Sequence, residues 1–269
     1  MVQQPSLVRG LSGIDVGFAP RLPQRDFEPA RAIIRRHVSD ESSPEASSMD
    51  ASADVDVWRP LQPGVLIGRM QQARHGTVGL FVRDASGAVA GLTCAHVLRD
   101  ATGRRPGTVS HPPSGDGCTR IGQVHALMDG WYGDAGLFRL DTDIAPTPAT
   151  AAQLGTDDIV ATTGFARLGD LVRKSGAGTG VTSGVVDGIG YYRLDERGGF
   201  MMGFRIRARD GDREEISGGS DSGAVWYRVA DTAGVGLHTG FDRVSGRRYA
   251  IASHLPCVLT VFGVVPLAR

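Results

Sequence analysis

The larger, C-terminal part of the sequence is a succession of short β-forming runs separated by turns, with little helical pattern between them. At 76–93, for example, two runs of aliphatic and β-branched residues flank a turn that contains glycine. Strands at such close spacing, without intervening helices, are typical of sheets that close into sandwiches or barrels. The 38 glycines among 269 residues fit the many tight turns of an all-β fold better than a helical bundle. Only 256–264 has the apolar spacing of a helix.

The N-terminal part of the chain has a different composition. Residues 39–57 contain six acids, no bases and almost no large apolar side chains. Such a segment cannot bury enough surface to offset the entropy that is lost on ordering. We predict a short strand-containing α/β extension at 1–38, an acidic flexible linker at 39–57 and one domain at 58–269, with halves at about 58–150 and 151–269. A regulatory or self-cleaved acidic segment is the alternative to a linker.

Balanced charge and few cysteines exclude several classes of partner and compartment. Lys+Arg and Asp+Glu both number 29, so no net charge attracts nucleic acid or an anionic membrane. No run of about 18 apolar residues predicts a membrane span, and the first residues lack the pattern of a secretory signal. The three cysteines show no disulfide-framework spacing, which favours a reducing compartment. We therefore expect a cytoplasmic protein without nucleic-acid or membrane partners.

The sequence offers two short pairs of metal-ligating side chains. Cys94 and His96 form one pair, and His254 and Cys257 form the other. Each pair is isolated, whereas a tetrahedral zinc site needs a cluster of ligands. We therefore predict neither a metal nor a cofactor.

Three short strings place a histidine, an aspartate and a serine in that order along the chain. They are Thr-Cys-Ala-His ending at His96, Gly-Asp-Ala around Asp134, and Ser-Asp-Ser-Gly with Ser222 in third place. Acyl transfer by a serine needs an adjacent imidazole, which a buried carboxylate must orient. An α/β-hydrolase has the order Ser, acid, His and a Gly-x-Ser-x-Gly elbow, and this chain has neither. The strings predict Ser222 as nucleophile, His96 as general base on a helical turn at 95–98, and Asp134 as the orienting acid.

Together these strings resemble the motifs of trypsin-like (chymotrypsin-fold) serine peptidases, and more narrowly those of their cytoplasmic bacterial and plant branch. The resemblance includes the Lys-Ser-Gly-x-Gly-Thr-Gly-x-Thr-x-Gly hairpin at 174–184. It also includes Gly-Ile-Asp-Val-Gly at 13–17 and the pattern at 251–264. The likeness thus runs from about residue 10 to the end of the chain, without the acidic segment. Three motifs in the correct order are far more specific than any one of them.

The resemblance implies two six-stranded antiparallel β-barrels, a C-terminal helix and an active site in the cleft between the barrels. His96 and Asp134 would come from the first barrel and Ser222 from the second. The implied activity is a serine endopeptidase, regulated or self-cleaving, that forms an acyl-enzyme with a protein or peptide substrate. The alternative is a catalytically silent chymotrypsin-fold protein that binds peptides or forms a scaffold. A homo-oligomer built by strand addition remains open.

The resemblance also assigns an oxyanion hole to the backbone N–H groups of Ser220 and Ser222. The family usually has glycine where Ser220 stands. If that position requires a positive φ, a serine there has a higher conformational energy than glycine. In secreted relatives the carboxylate at the position of Asp221 pairs with a newly cut N-terminal amine. This chain has no Ile-Val-Gly-Gly activation sequence, so we expect no such activation step.

Four residues are assigned to substrate binding by the same resemblance: Ile216, Ser217, His238 and Thr239. Ile216 stands where trypsin-like specificity requires an aspartate, which argues against Lys or Arg at P1. The Leu-His-Thr-Gly string at 237–240 is similar to that of glutamate-specific endopeptidases, in which a histidine and a serine bind the P1 carboxylate. His238 and Ser217 would do so here, and Thr239 would donate a hydrogen bond to the acid. The alternative is that His238 packs beneath the cleft and that P1 is small and apolar.

Overall fold

The computed structural model describes two short N-terminal segments and most of the chain beyond residue 60. The described residues are 8–9, 15–16, 61–70, 72, 74–99, 107–113, 117–144, 152–193, 200–209, 215–244 and 247–267. Two of the strands, β1 (Val8–Arg9) and β2 (Asp15–Val16), pair antiparallel with each other. Apart from them, the predicted extension at 1–38 and linker at 39–57 lie outside the described residues.

An antiparallel sheet of eight strands forms the first half of the fold. Its strands are β3 (Leu66–Arg69), β4 (His75–Thr77), β5 (Leu80–Asp84), β6 (Val89–Thr93), β7 (Thr108–Ser110), β8 (Arg120–Gly130), β9 (Gly133–Leu140) and β16 (Val264–Pro266). Their order across the sheet is β16-β5-β6-β9-β8-β7-β3-β4. The sheet curls around a core of buried aliphatic residues and Phe81 and Phe138. It is a half-barrel whose end strands are not paired with each other among the described residues.

A closed barrel of six strands forms the second half. Its strands are β10 (Leu171–Gly176), β11 (Gly180–Arg193), β12 (Phe200–Ala208), β13 (Val225–Arg228), β14 (Gly234–Val244) and β15 (Arg247–His254). They close in the order β10-β11-β12-β15-β14-β13, and every neighbouring pair is antiparallel. Val172, Phe204 and Trp226 are among the fully buried side chains that fill this barrel. Closure removes exposed strand edges.

In the part of the chain that the structure describes, two short helices flank the strands, and both were predicted from the sequence. Helix α1 (Ala95–Leu98) follows β6 as a single turn. Helix α2 (Leu255–Phe262) has a proline in its first turn and ends at Gly263, which has the left-handed φ of 65° typical of a helix C-terminus. Leu255, Val258 and Leu259 bury its apolar side in the core of the first sheet. The C-terminal helix therefore ties the two halves together.

The expected all-β fold with two barrels and a C-terminal helix is confirmed, with one barrel closed and the other a curled half-barrel. Among the described residues, none of the helices is long or apolar enough to cross a membrane.

Candidate active site

His96 and Asp134 are joined directly in the structure. The pairing of β6 with β9 matches Thr93 to Gly136, and this register brings the start of β9 beside helix α1. The backbone N–H of His96 donates to Asp134 Oδ1 at 3.0 Å, and the His96 Nδ1 is hydrogen-bonded to Oδ2. Asp134 is buried, whereas the His96 side chain remains partly exposed. Because Nδ1 faces the carboxylate, Nε2 lies on the opposite side of the ring, away from the acid.

Ser222 lies in the loop before β13, and this loop is fixed to both halves of the fold. The N–H of Thr77 in β4 donates to the Ser222 carbonyl at 2.8 Å, and the N–H of Gly223 donates to the carbonyl of His238 in β14 at 2.8 Å. A Cβ on Gly76 would lie 2.7 Å from the Ser222 carbonyl oxygen and 2.4 Å from the side chain of Val97. Only glycine fits there, so α1 and the serine loop meet at the same point of β4. The structure thus brings the loop of Ser222 close to the helix of His96.

Ser220 has the strained backbone that its replacement of glycine suggested. Its φ is 70°, in the left-handed region that glycine adopts without cost. The Thr77 hydroxyl donates to the Ser220 carbonyl at 2.7 Å and holds this conformation from the neighbouring sheet. The N–H of Ser220 donates to no backbone carbonyl in the described part of the chain. A donor of this kind beside the nucleophile is what an oxyanion hole requires.

A buried ion pair between Lys174 and Asp221 supports the same loop. Lys174 Nζ lies 2.8 Å from Asp221 Oδ2, and both side chains have no exposed area. The N–H groups of Gly178, Thr179 and Gly218 also donate to the carboxylate, each at 3.0 Å. Burial by itself raises the pKa of Asp221, but the Lys174 ammonium and the hydrogen bonds outweigh it and hold the pKa below its ordinary value. A cation from β10 therefore neutralises the residue next to Ser222.

Sequence reasoning missed this role of Lys174, and only the burial seen in the structure reveals it. Lys174 belongs to a strand whose neighbours Val172 and Ser175 are buried, and it is itself fully buried. A lysine is almost never fully buried unless it is paired. The burial of Lys174 therefore requires an internal partner, which the Asp221 carboxylate supplies.

Ser217 and His238, two of the residues assigned to substrate binding, are in direct contact. Ser217 Oγ lies 2.9 Å from His238 Nε2, and both side chains are fully buried. The indole N–H of Trp226 donates to His238 Nδ1 at 3.3 Å. Nδ1 must then be an acceptor, which leaves the ring hydrogen on Nε2 and directs it at Ser217 Oγ. His238 thus orients the Ser217 hydroxyl.

Arg248 in β15 is a neighbour of Ser217 that sequence reasoning also missed. Its Nη1 donates to the Ser217 carbonyl at 2.8 Å and lies 3.4 Å from Glu215 Oε1. The guanidinium also lies over the ring of Phe241, 4.4 Å from its centroid. A positive charge is therefore held beside the Ser217–His238 pair.

The other two predicted substrate-binding residues have different surroundings from those expected. Ile216 is buried in the core of the closed barrel with Val172 and Phe204. The hydroxyl of Thr239 donates to the carbonyl of Leu237 at 3.3 Å and not to Asp134, whose two oxygens both accept hydrogen bonds from His96. The expected hydrogen bond between Thr239 and the acid is therefore wrong for this structure.

One group of side chains among the described residues has the composition of a metal site. Potential ligand atoms of Cys94, His96 and Asp134 all lie within 4.8 Å of one another. The sequence presented Cys94 and His96 as an isolated pair, and the fold adds the third ligand.

Comparison with known proteins gives matches in structure only. No family model matches this sequence, and a search of curated proteins finds no match. A glutamic acid specific serine protease, which utilises a histidine triad in substrate binding, is 21% identical with a TM-score of 0.60, over 77% of this chain and 100% of its own. Thermobifida fusca Protease A is 20% identical with a TM-score of 0.58, over 77% and 98%. A Nocardiopsis protease is 18% identical with a TM-score of 0.57, over 76% and 97%.

At these identities the likeness is one of fold, and it agrees with the architecture of a closed barrel beside a curled one. The chain therefore has the chymotrypsin fold of the trypsin-like serine peptidases.

Proposed function

We propose that the protein is an intracellular serine endopeptidase with His96, Asp134 and Ser222 as its catalytic triad. The observation that carries the proposal is the double hydrogen bond from His96 to Asp134, which fixes the imidazole with Nε2 directed away from the acid. The attachment of the Ser222 loop to Thr77 adds support, because it places the hydroxyl-bearing loop against the sheet that carries the histidine. The chymotrypsin fold, which serine proteases of known structure share, is a further support.

The proposed reaction uses each residue in one role. Ser222 Oγ attacks the scissile carbonyl while His96 Nε2 takes its proton, and Asp134 stabilises the imidazolium that forms. The N–H groups of Ser220 and Ser222 donate to the oxyanion, whose charge exists only in the transition state and the intermediate. The C–N bond then breaks, the amine leaves with the proton from His96, and an ester to Ser222 remains. A water molecule, deprotonated by His96, hydrolyses that ester.

Active-site labelling tests this proposal directly. We expect a fluorophosphonate to label the wild-type protein at one site and Ser222→Ala not at all. Ser86→Ala is a matched control, because Ser86 lies in an exposed turn and its loss leaves labelling unchanged. A folded wild-type protein that neither reacts with the probe nor hydrolyses unfolded protein would contradict the proposal.

Serine at position 220, where the family usually has glycine, favours the alternative of a silent, peptide-binding protein, and the substitution Ser220→Gly distinguishes this alternative from an active enzyme. Glycine at position 220 removes a backbone strain of about 1–2 kcal/mol. If the protein is an enzyme, Ser220→Gly should unfold at higher urea and acylate Ser222 at least as fast as the wild type. Thr232→Gly is a matched control, because Thr232 also has a positive φ, of 54°, in the turn before β14. Thr232→Gly should raise stability without changing the acylation rate.

Equal gains in acylation rate in Ser220→Gly and Thr232→Gly would indicate that the rate follows overall stability and not the backbone conformation beside Ser222. Tight peptide binding without acylation in either variant would favour the silent protein.

For the P1 residue, we propose that the site prefers a carboxylate. The Ser217 hydroxyl is oriented by His238, and the Arg248 guanidinium lies against the Ser217 carbonyl. The guanidinium favours an anionic side chain and repels a cationic one, and the exposed carboxylate of Glu215, 3.4 Å from Arg248 Nη1, is the anion that a P1 carboxylate would compete with. The glutamic acid specific serine protease with a similar fold uses histidines in substrate binding, which supports the proposal.

Peptides that differ only at P1 test this preference. We expect kcat/KM to be at least about 100-fold higher for P1 Glu than for P1 Lys, a difference of roughly 3 kcal/mol in transition-state binding. Arg248→Met should lower kcat/KM for P1 Glu while leaving P1 Ala nearly unchanged. Fastest cleavage after a small apolar residue, insensitive to Arg248→Met, would contradict the carboxylate preference and support the packing role of His238.

A further inference from the structure

Cys94 lies beside the candidate triad, and its position carries an inference beyond proteolysis. The Cys94 thiol is fully buried at the N-cap of helix α1, two residues before His96. Its sulfur, a ring nitrogen of His96 and a carboxylate oxygen of Asp134 all lie within 4.8 Å of one another. The catalytic proposal uses the imidazole and the carboxylate but gives the thiol no role.

These three donors form a ligand set suited to zinc. Thiolate, imidazole and carboxylate bind Zn²⁺ at about 2.3, 2.0 and 2.1 Å, so tetrahedral ligands lie about 3.3–3.6 Å apart. Shifts of about 1 Å would bring the three side chains to these separations, with the fourth position left to water. A soft thiolate disfavours Mg²⁺ and Ca²⁺, which prefer oxygen ligands. The net charge of the site would be zero, because the Cys94 thiolate and the Asp134 carboxylate, both buried, together neutralise the two positive charges of Zn²⁺.

The carbonyl that accepts from the Cys94 thiol would keep a donor if the thiol turned away. Cys94 Sγ donates to the carbonyl of His238 at 3.1 Å. That carbonyl also accepts the N–H of Gly223 at 2.8 Å. Because a second donor remains, rotation of the thiol toward a metal leaves no unsatisfied carbonyl.

We propose that Cys94, His96 and Asp134 form an inhibitory Zn²⁺ site within the active site, an inference that rests on the proposed function. Zn²⁺ binds the Cys94 thiolate, which releases one proton to solvent, and replaces the hydrogen bond between His96 Nδ1 and Asp134. The neutral imidazole keeps its single proton, which moves from Nδ1 to Nε2. An Nε2 that already carries hydrogen cannot accept the Ser222 proton, so acylation stops. Removal of the metal restores the original tautomer.

Reversible inhibition is the first test. Micromolar free Zn²⁺, set with a metal buffer, should abolish peptide hydrolysis and fluorophosphonate labelling, and EDTA should restore both. In Cys94→Ala the Zn²⁺ concentration for half-inhibition should rise at least about 100-fold, because one of three protein ligands is gone. Cys94→Ser is a second variant if the alanine disturbs folding. Cys118→Ala and Cys257→Ala are matched controls that should keep wild-type sensitivity. Equal sensitivity in the Cys94 variants, or no inhibition of the wild type, would overturn the proposal.

Metal binding by an inactive variant separates this inference from the proposed function. Co²⁺ added to Ser222→Ala should give a thiolate-to-cobalt charge-transfer band that is absent in Ser222→Ala/Cys94→Ala. The band would support the metal site even if the wild type had no peptidase activity. Its absence in a folded Ser222→Ala protein would overturn the site while leaving the proposed proteolysis intact.

Discussion

Ser222→Ala is expected to lower kcat/KM for peptide hydrolysis by about 10⁶-fold, the loss typical when a triad nucleophile is removed. The residual rate over water would come from substrate binding and from the oxyanion donors, which the substitution leaves in place. The fold should be unaffected, because the loop is held through the Ser222 carbonyl and the Gly223 N–H and not through the hydroxyl. Steady-state kinetics on a fluorogenic peptide, with urea unfolding of the same preparations, measures both quantities.

Asp134→Asn tests the orienting acid in the same assay, with an expected loss of about 10⁴-fold. Both carboxylate oxygens of Asp134 accept hydrogen bonds from His96, one from its backbone N–H and one from its ring. An amide has one acceptor oxygen, so its NH₂ must face one of these donors and force a rearrangement or the other tautomer. Asp141→Asn is the matched control, since Asp141 pairs with Arg120 on the exposed surface. Losses of similar size in both asparagine variants would contradict the assigned role.

Local patterns were sufficient to predict the elements that carry the proposed triad. The run at 88–93 predicts a strand, and the structure has β6 (Val89–Thr93) followed by the single helical turn of His96. Alternation within a strand depends on neighbouring residues only, and a tight turn depends on its own glycine, so both are visible in the sequence. The order of the three motifs then identified the chymotrypsin architecture.

Contacts that depend on the closing of the barrel were not predictable in this way. Lys174 and Asp221 are 47 positions apart, and Arg248 is 31 positions from Ser217. No local period relates such pairs, because their distance is set by how strands from separate hairpins meet. Ile216 shows the same limit: it lies in a loop, where no alternation fixes whether a side chain faces the cleft or the core.

Lys174→Met should lower the free energy of unfolding by about 3–5 kcal/mol, because it leaves the fully buried Asp221 carboxylate without its cation. Methionine matches the length of the lysine stem, so the loss reports the charge and not a cavity. Activity should fall as well, since the amide donors of Gly178 and Gly218 shape the loop around Asp221 and hence around Ser222. Urea unfolding at pH 7 and labelling of Ser222 measure the two effects.

The double variant Lys174→Met/Asp221→Asn shows whether the loss of stability comes from the missing ion pair or from the uncompensated Asp221 charge. Removing both charges should be less destabilising than Lys174→Met alone, because no uncompensated charge remains buried.

The pH dependence of stability gives an independent check. The folded pKa of Asp221 lies below its unfolded value of 3.8, so its contribution to stability is present above about pH 4 and is lost as the pH falls through the folded pKa. This acid-dependent loss should disappear in Asp221→Asn and persist in Asp141→Asn, whose carboxylate is on the surface. If the double variant lost as much free energy of unfolding as the two single variants together, the two charges would act independently. The coupling assigned to Lys174 Nζ and Asp221 Oδ2 across 2.8 Å would then be wrong.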